Sequence, residues 1–138
     1  MTNLVPHEAP LAAPRAATLA ALFQARSIAI IGASNNPRKA SYQVIYTLQS
    51  EGYTGAVYPV NPNEAEVLGL PCFASVTDIP APVDLVVLSL PAEAVVAAMR
   101  QAASRKDVRG AVILSAGCRA RRICFIFYDR IQTATGAA

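Results

Sequence analysis

Ser27-Ile28-Ala29-Ile30-Ile31-Gly32-Ala33-Ser34-Asn35-Asn36-Pro37-Arg38-Lys39 opens as a short apolar run and breaks at Gly32 into a small, polar and finally basic loop. The run is continuous rather than alternating, which is the pattern of a strand buried on both faces, as in a parallel sheet with helices on each side. From about Ser41 the pattern turns helical, with Val44, Ile45 and Leu48 on one face and an end near Gly52. Strand, tight polar loop and helix together offer backbone N–H groups and a helix N-terminus to an anion. The other reading of Arg38 and Lys39 is two ordinary solvated loop charges, and the residues alone leave both open.

Working outward, Ala56-Val57-Tyr58-Pro59-Val60 is the second strand, closed by Asn61-Pro62. Pro59 has no N–H for a ladder, so this strand is expected to weaken there or to sit near an edge. Leu68 to Phe73 suggests a short extended piece. Ser75-Val76-Thr77-Asp78 resembles a capping box that opens one helical turn, stopped by Pro80. Asp84 to Leu90 is the clearest strand. Pro91 stands where a helix begins, and Ala94, Val95, Ala98, Met99 and Ala102 recur at helical spacing. Ala111 to Ser115 is a fourth strand, ended by Ala116-Gly117. Strands alternating with single helices predict right-handed parallel β-α-β units, an α/β fold. Before the first strand, residues 1–15 read as a loose tail holding three prolines and His7, the only histidine; residues 16–25 read as a lead-in helix.

The chain has 138 residues, of which 54% are hydrophobic and 15% charged, enough for one domain with a real core. A net charge of +3 with dispersed basic residues, Arg119, Arg121 and Arg122 apart, is not the footprint of a nucleic-acid binder. Cys72, Cys118 and Cys124 show neither C-x-x-C nor metal spacing, which suits a reducing compartment. No apolar run reaches the ~18 residues a membrane span needs, and no signal-peptide pattern is read, so the expected location is cytoplasmic with no membrane partner.

The loop after the first strand fails the common nucleotide fingerprints. A dinucleotide motif needs G-x-G-x-x-G and an acid closing the second strand; here only Gly32 is glycine and the strand closes on Val60-Asn61-Pro62. A Walker loop needs a second glycine before the lysine and a hydroxyl after it; Lys39 is followed by Ala40. What remains for an anion is backbone N–H groups, the Ser34 and Asn35 side chains, and Arg38 or Lys39.

Leu22-Phe23, Arg26 to Ser34, Tyr58-Pro59-Val60-Asn61-Pro62, Leu68 to Cys72 with Ser75 to Pro80, and Asp84 to Leu88 with Leu90-Pro91-Ala92-Glu93 and Ile113 to Gly117 occur in that order. Together they resemble the CoA-binding domain of ADP-forming acyl-CoA synthetases, related to the α subunit of succinyl-CoA synthetase. The resemblance implies a Rossmann-like parallel sheet with helices on both faces, holding coenzyme A at the carboxyl ends of its strands. It puts Gly32, Ala33, Ser34 and Lys39 at the nucleotide phosphates and Val60, Asn61 and Pro62 beside the adenosine–phosphate part. Ser89, Leu90, Pro91, Ala92 and Glu93 would line the pantetheine path, with Ser115, Ala116 and Gly117 near the same rim. For Pro91 and Glu93 an ordinary helix start explains the residues equally well.

The resemblance ends at Gly117, and residues 118–138 read as a divergent or truncated segment in which Ile123 to Tyr128 could form a fifth strand. Family synthetases pass a phosphoryl group through a histidine in a downstream part and need an ATP-grasp portion, and neither is present in this sequence. No Ser/His/Asp set, paired-carboxylate site or metal cluster can be assembled from the residues. The expectation is a CoA or acyl-CoA binding module over residues 16–117, not catalytic alone. A subunit of a split acyl-CoA ligase, acting with an ATP-grasp partner, is the enzymatic alternative, and a homo-oligomer would cover the small sheet's edge. An NAD-binding regulator on the same fold is disfavoured by the missing glycines and acid. A non-functional remnant is the fourth reading.

Overall fold

A computed structural model describes residues 24–114 and 123–127. The expected tail, the lead-in helix up to residue 23, His7, and residues 115–122 and 128–138 lie outside the described residues. Gln24 and Ala25, the last two residues of the expected lead-in helix, are not helical.

β1 (Ser27–Ile31), β2 (Ala56–Val60), β5 (Leu85–Leu88) and β6 (Gly110–Leu114) form a parallel sheet in the order β2-β1-β5-β6. β7 (Ile123–Phe127) adds to β6 antiparallel, so the possible fifth strand forms, with its direction reversed. α1 (Ala40–Ser50) joins β1 to β2 and α2 (Ala92–Ser104) joins β5 to β6. A two-stranded hairpin, β3 (Glu66–Val67) and β4 (Leu70–Pro71), and a single 3-10 turn at Val76–Asp78 fill the return from β2 to β5. β5 is shorter than the sequence expectation, with Asp84, Ser89 and Leu90 outside it, while β1 and β6 each begin one residue earlier than expected, at Ser27 and Gly110.

Every residue of β1 is buried, as a continuous apolar run requires. Ile28 and Ile30 meet Ile45 and Val87 on the α1 side; Ala29 and Ile31 meet Ala98, Met99 and Ala102 on the α2 side. Ile30 and Ile45 are fully buried, each contributing about 2–3 kcal/mol of apolar transfer. Helices cover both faces because the chain moves outward from β1 to β2 and then returns to β1's other side. Right-handed crossovers in opposite directions fall on opposite faces.

β2 is an edge strand of the five-stranded sheet, and Pro59 sits in it opposite Ile30. The Pro59 carbonyl points to the other side, where it accepts from Phe73 N at 2.9 Å. The side of Pro59 that lacks an N–H therefore faces away from β1, and no bond of the β1–β2 ladder is lost.

α1 ends at Glu51 and Gly52, with Gly52 at φ +75° and Tyr53 N donating to Leu48 O at 3.0 Å, a Schellman closure. The hairpin turns through Leu68 and Gly69, both at positive φ, the conformation of a type I′ turn. Ser75 caps its turn as expected, accepting from Thr77 N at 3.3 Å.

Ser41, in the first turn of α1, is fully buried and its hydroxyl finds no partner among the described residues. A buried unsatisfied hydroxyl is unfavourable, and alanine is the better helix former. Ser41→Ala should therefore leave stability unchanged or raise it by up to about 1 kcal/mol. The urea midpoint checks this; a clear loss would reveal a hydrogen-bond partner for Ser41.

Candidate functional site

Strand order reverses at β1, because the chain leaves it towards β2 and comes back on the β5 side. The crevice at the carboxyl ends of β1 and β5 is therefore the switch point where open α/β sheets hold ligands. Three segments border it: Gly32 to Lys39 after β1, Asn61 to Asn63 after β2, and Ser89 to Glu93 after β5.

They are stitched together by the backbone. Gly32 N and Ala33 N both donate to the Val60 carbonyl, at 2.9 and 3.2 Å. Asn61 Nδ2 donates to Ala33 O at 2.7 Å, while its Oδ1 accepts from Asn63 N at 2.8 Å. On the other side Ser89 N donates to Ile31 O at 2.9 Å. Gly32 stands at φ +85°, and a Cβ built there would lie 2.2 Å from the Ser89 carbonyl oxygen. Glycine is thus required twice, for the left-handed conformation and for the close approach of β5's end.

Two sequence expectations change. The backbone N–H groups of Gly32 and Ala33, expected to cradle an anion, are already occupied by Val60. The Asn35 side chain, expected to face an anion, instead donates from Nδ2 to Glu64 Oε2 at 3.1 Å and Glu66 O at 2.8 Å, and its Oδ1 accepts from Leu68 N at 3.2 Å. Asn35 holds the hairpin to the loop.

What remains for an anion is the Ser34 hydroxyl, the unpaired N–H groups in the first turn of α1, and the exposed Arg38 and Lys39. Ser34 Oγ accepts from Asn36 N at 3.1 Å and keeps its own proton to donate. The Arg38 N–H is turned inward by Asn36 Oδ1 at 3.0 Å, and Lys39 is the N-cap residue of α1. Among the described residues neither cation is in an ion pair.

The segment after β5 approaches from the opposite wall. Leu90 packs partly buried against the core, Pro91 is the N-cap residue of α2, and Ala92 and Glu93 occupy its exposed first turn. Glu93 suits a helix start whatever else it does. Ser115, Ala116 and Gly117 lie outside the described residues. In the loops after β1 and β2, Gly32, Ala33, Asn35 and Asn61 spend their polar groups on one another, on Val60 and on the hairpin. Ser34, Arg38 and Lys39 keep unused ones beside the α1 terminus.

Cys72 sits behind this rim, its thiol 3.6 Å from Asn61 O. Burial pushes its pKa up, the nearby Glu64 charge adds in the same direction, and a backbone hydrogen bond at Asn61 works against both. A thiol so placed is a poor nucleophile at neutral pH. Among the described residues no cluster of histidine, cysteine or acidic side chains could hold a metal, and no helix is long and apolar enough to cross a membrane.

An open depression of about 650 Å3 lies at the opposite end of β1 and β2, lined by Gln24, Arg26, Tyr53 and Thr54 among others. The Tyr53 hydroxyl donates to Ala25 O at 2.7 Å, and burial followed by the charge of Asp84 raises its pKa. This depression is at the amino ends of the strands, away from the switch point, and the charged loop residues do not reach it.

The sheet order, the two covered faces and the glycine turn at the reversal define a Rossmann-like α/β domain. The chain belongs to the CoA binding domain family, whose model matches residues 26–133, past the Gly117 at which the sequence resemblance ends. It is 41% identical over 96 residues to an ADP-forming acetate–CoA ligase II of Archaeoglobus fulgidus, covering 70% of this chain and 14% of that enzyme. It is 43% identical over 95 residues to the α subunit of ADP-forming acetate–CoA ligase II of Pyrococcus furiosus, covering 69% of this chain and 20% of the subunit. Among solved structures, a dinucleotide-forming acetyl-coenzyme A synthetase 1 of Candidatus Korarchaeum cryptofilum superposes with TM-score 0.67 at 37% identity, over 72% of this chain and 21% of that one. The chain therefore spans about a seventh to a fifth of the length of these relatives.

Proposed function

We propose that the chain binds coenzyme A or an acyl-CoA in the crevice between the loops after β1, β2 and β5. The observation that carries this reading is the CoA binding domain match over residues 26–133, which takes in all three loops. In this reading Ser34 and Lys39, with Arg38 and the first turn of α1, hold phosphate oxygens. Gly32, Ala33, Val60 and Asn61 shape the floor through their mutual hydrogen bonds, and Pro62 flanks the adenosine. Ser89 to Glu93 border the pantetheine arm, and Ser115, Ala116 and Gly117 complete the rim. The module takes in residues 16–117 and acts in the cytoplasm.

The chain is not catalytic alone in this reading. Its likeness to an α subunit favours a partner chain that supplies ATP-dependent chemistry, making the pair a split acid–CoA ligase. Self-association is a further part of the proposal, as cover for a sheet edge.

Calorimetric titration of the purified chain with CoA, NAD and ATP in parallel tests the site. CoA should give a one-to-one isotherm, micromolar or tighter, and the other two should not. Losing a charge-assisted phosphate contact should weaken CoA binding roughly tenfold in Lys39→Ala, with a smaller loss in Ser34→Ala. Unchanged affinity in both variants would overturn the site assignment. A one-to-one isotherm with NAD alone would replace CoA as the ligand.

A further inference from the structure

The five-stranded sheet has two edges, β2 and β7, and they differ in chemistry. At β2 the outer edge is closed. Pro59 offers no N–H there, its carbonyl is taken by Phe73 N at 2.9 Å, and Asn61 N donates back to Phe73 O at 2.8 Å. A proline and a covering segment are two of the devices by which folded proteins keep an edge from pairing with another chain. β7 carries neither. Its sequence, Ile123-Cys124-Phe125-Ile126-Phe127, holds no proline, glycine or charge, and among the described residues only β6 pairs with it.

The ends of the chain are poor cover for this edge. Residues 1–15 hold three prolines, and residues 132–138 are mostly alanine and glycine, which strands disfavour. A second copy of β7 fits better. Two strands related by a twofold axis through the sheet run antiparallel, the more stable pairing, and each meets the same surface that it offers. Centring that axis on Phe125 pairs all five residues: Ile123 with Phe127, Cys124 with Ile126, and Phe125 with itself. Moving the centre by one residue loses two of these partners from the strand. The flanking sequence agrees with the same centre. Arg121 stands four residues before Phe125 and Asp129 four after, so a copy running the other way brings arginine towards aspartate at each end, and no arginine falls opposite another.

We propose that the free edge of β7 pairs with β7 of a second copy, antiparallel about Phe125, joining the two sheets into one. The inference names the edge for the self-association proposed above and rests on that reading. With β2 closed, each chain has one edge to offer, so association stops at the dimer. The twofold axis also reverses the parallel strands of the second copy. The two crevices at the carboxyl ends therefore open at opposite ends of the joined sheet.

Sedimentation equilibrium of the full chain over a wide concentration range should show monomer and dimer and nothing larger. In hydrogen exchange on the same samples, the peptide over Ile123–Phe127 should gain protection as dimer accumulates, and the peptide over Ala56–Val60 should not. Phe125→Lys sets two like charges opposite each other and should weaken association roughly tenfold or more. Phe125→Glu should do the same, and mixing the two variants should restore association as a heterodimer. A monomer at every concentration would overturn the self-association and this pairing with it. Larger species, a gain of protection confined to other peptides, or folded Lys and Glu variants that do not prefer each other would overturn the β7 pairing and leave self-association standing. Hydrogen exchange uses the unaltered chain, so it decides the matter even if neither variant folds.

Discussion

Gly32→Ala should abolish cooperative folding or lower stability by at least about 3 kcal/mol. Two costs coincide at this residue. A non-glycine side chain at φ +85° costs about 1–2 kcal/mol. The added Cβ would also lie 2.2 Å from the Ser89 carbonyl oxygen and 3.0 Å from Leu90 Cδ2. The carbonyl belongs to backbone held by Ser89 N on Ile31 O, so relief requires β1 and β5 to part at their carboxyl ends. Gly52 provides the internal control. It has φ +75°, but no atom lies within 4 Å of where its Cβ would stand, so Gly52→Ala carries only the conformational cost, about 1–2 kcal/mol. Thermal melts followed by circular dichroism should separate the two variants by about five degrees or more, since about 1 kcal/mol moves Tm by about 4–8 °C in a domain this small. Equal melting shifts would mean that β5's end yields easily, and the close approach would then carry no weight.

Arg105→Met should destabilise the domain by about 2–4 kcal/mol. The guanidinium uses all five of its donors. Nη1 donates to Val76 O and Ile79 O, at 2.9 and 2.7 Å; Nη2 donates to Ala81 O at 2.8 Å and Asp107 Oδ2 at 2.7 Å; Nε donates to Asp107 Oδ1 at 3.0 Å. Asp107 Oδ2 also accepts from Val83 N at 3.0 Å. This one side chain therefore ties the irregular return from β2 to the end of α2. Methionine restores bulk but leaves three carbonyls and a carboxylate without their donors. Lysine should recover little, because an ammonium cannot present a planar fork.

The same pair gives a pH signature. Hydrogen bonding to Arg105 is the main reason the Asp107 carboxyl lies below the usual range, with burial opposing it and the Val83 N–H helping. A group whose pKa is lowered by folding stabilises the protein above its unfolded pKa, about 4 for aspartate, and that contribution fades as pH falls through the folded value. Urea midpoints should thus decline below about pH 4 in the wild type, with a shallower decline in Arg105→Met. Parallel declines would assign the acid sensitivity to other carboxylates.

Much of the fold was legible from local pattern. The unbroken Ile28–Ile31 run marked a strand covered on both faces, Pro91 marked the start of α2, and Ser75 marked its turn, because burial, φ restriction and capping act over a few residues. The reversed direction of β7 was not legible, since apolar content does not encode strand polarity. Nor was Arg105: its carbonyl acceptors lie 24 to 29 residues away in a segment without periodicity, and the sequence shows only a charged turn. At the candidate site, the location followed from strand order, but the use of each group did not. Asn35 has the chemistry of an anion donor, yet its hairpin contacts consume it. Asn61 suits a ligand wall by type, yet both ends of its side-chain amide bond backbone.

The shared acceptor at Val60 bears on what association would cost. With Gly32 and Ala33 already bonded to it, the head of the loop is ordered without a guest. Conformational entropy is then lost chiefly in the exposed Arg38 and Lys39 side chains, at about 0.5–1.5 kcal/mol for each one immobilised. The crevice is preorganised at its floor and adjustable at its rim, so differences in affinity among nucleotides would be set by the charged side chains rather than by folding of the loop.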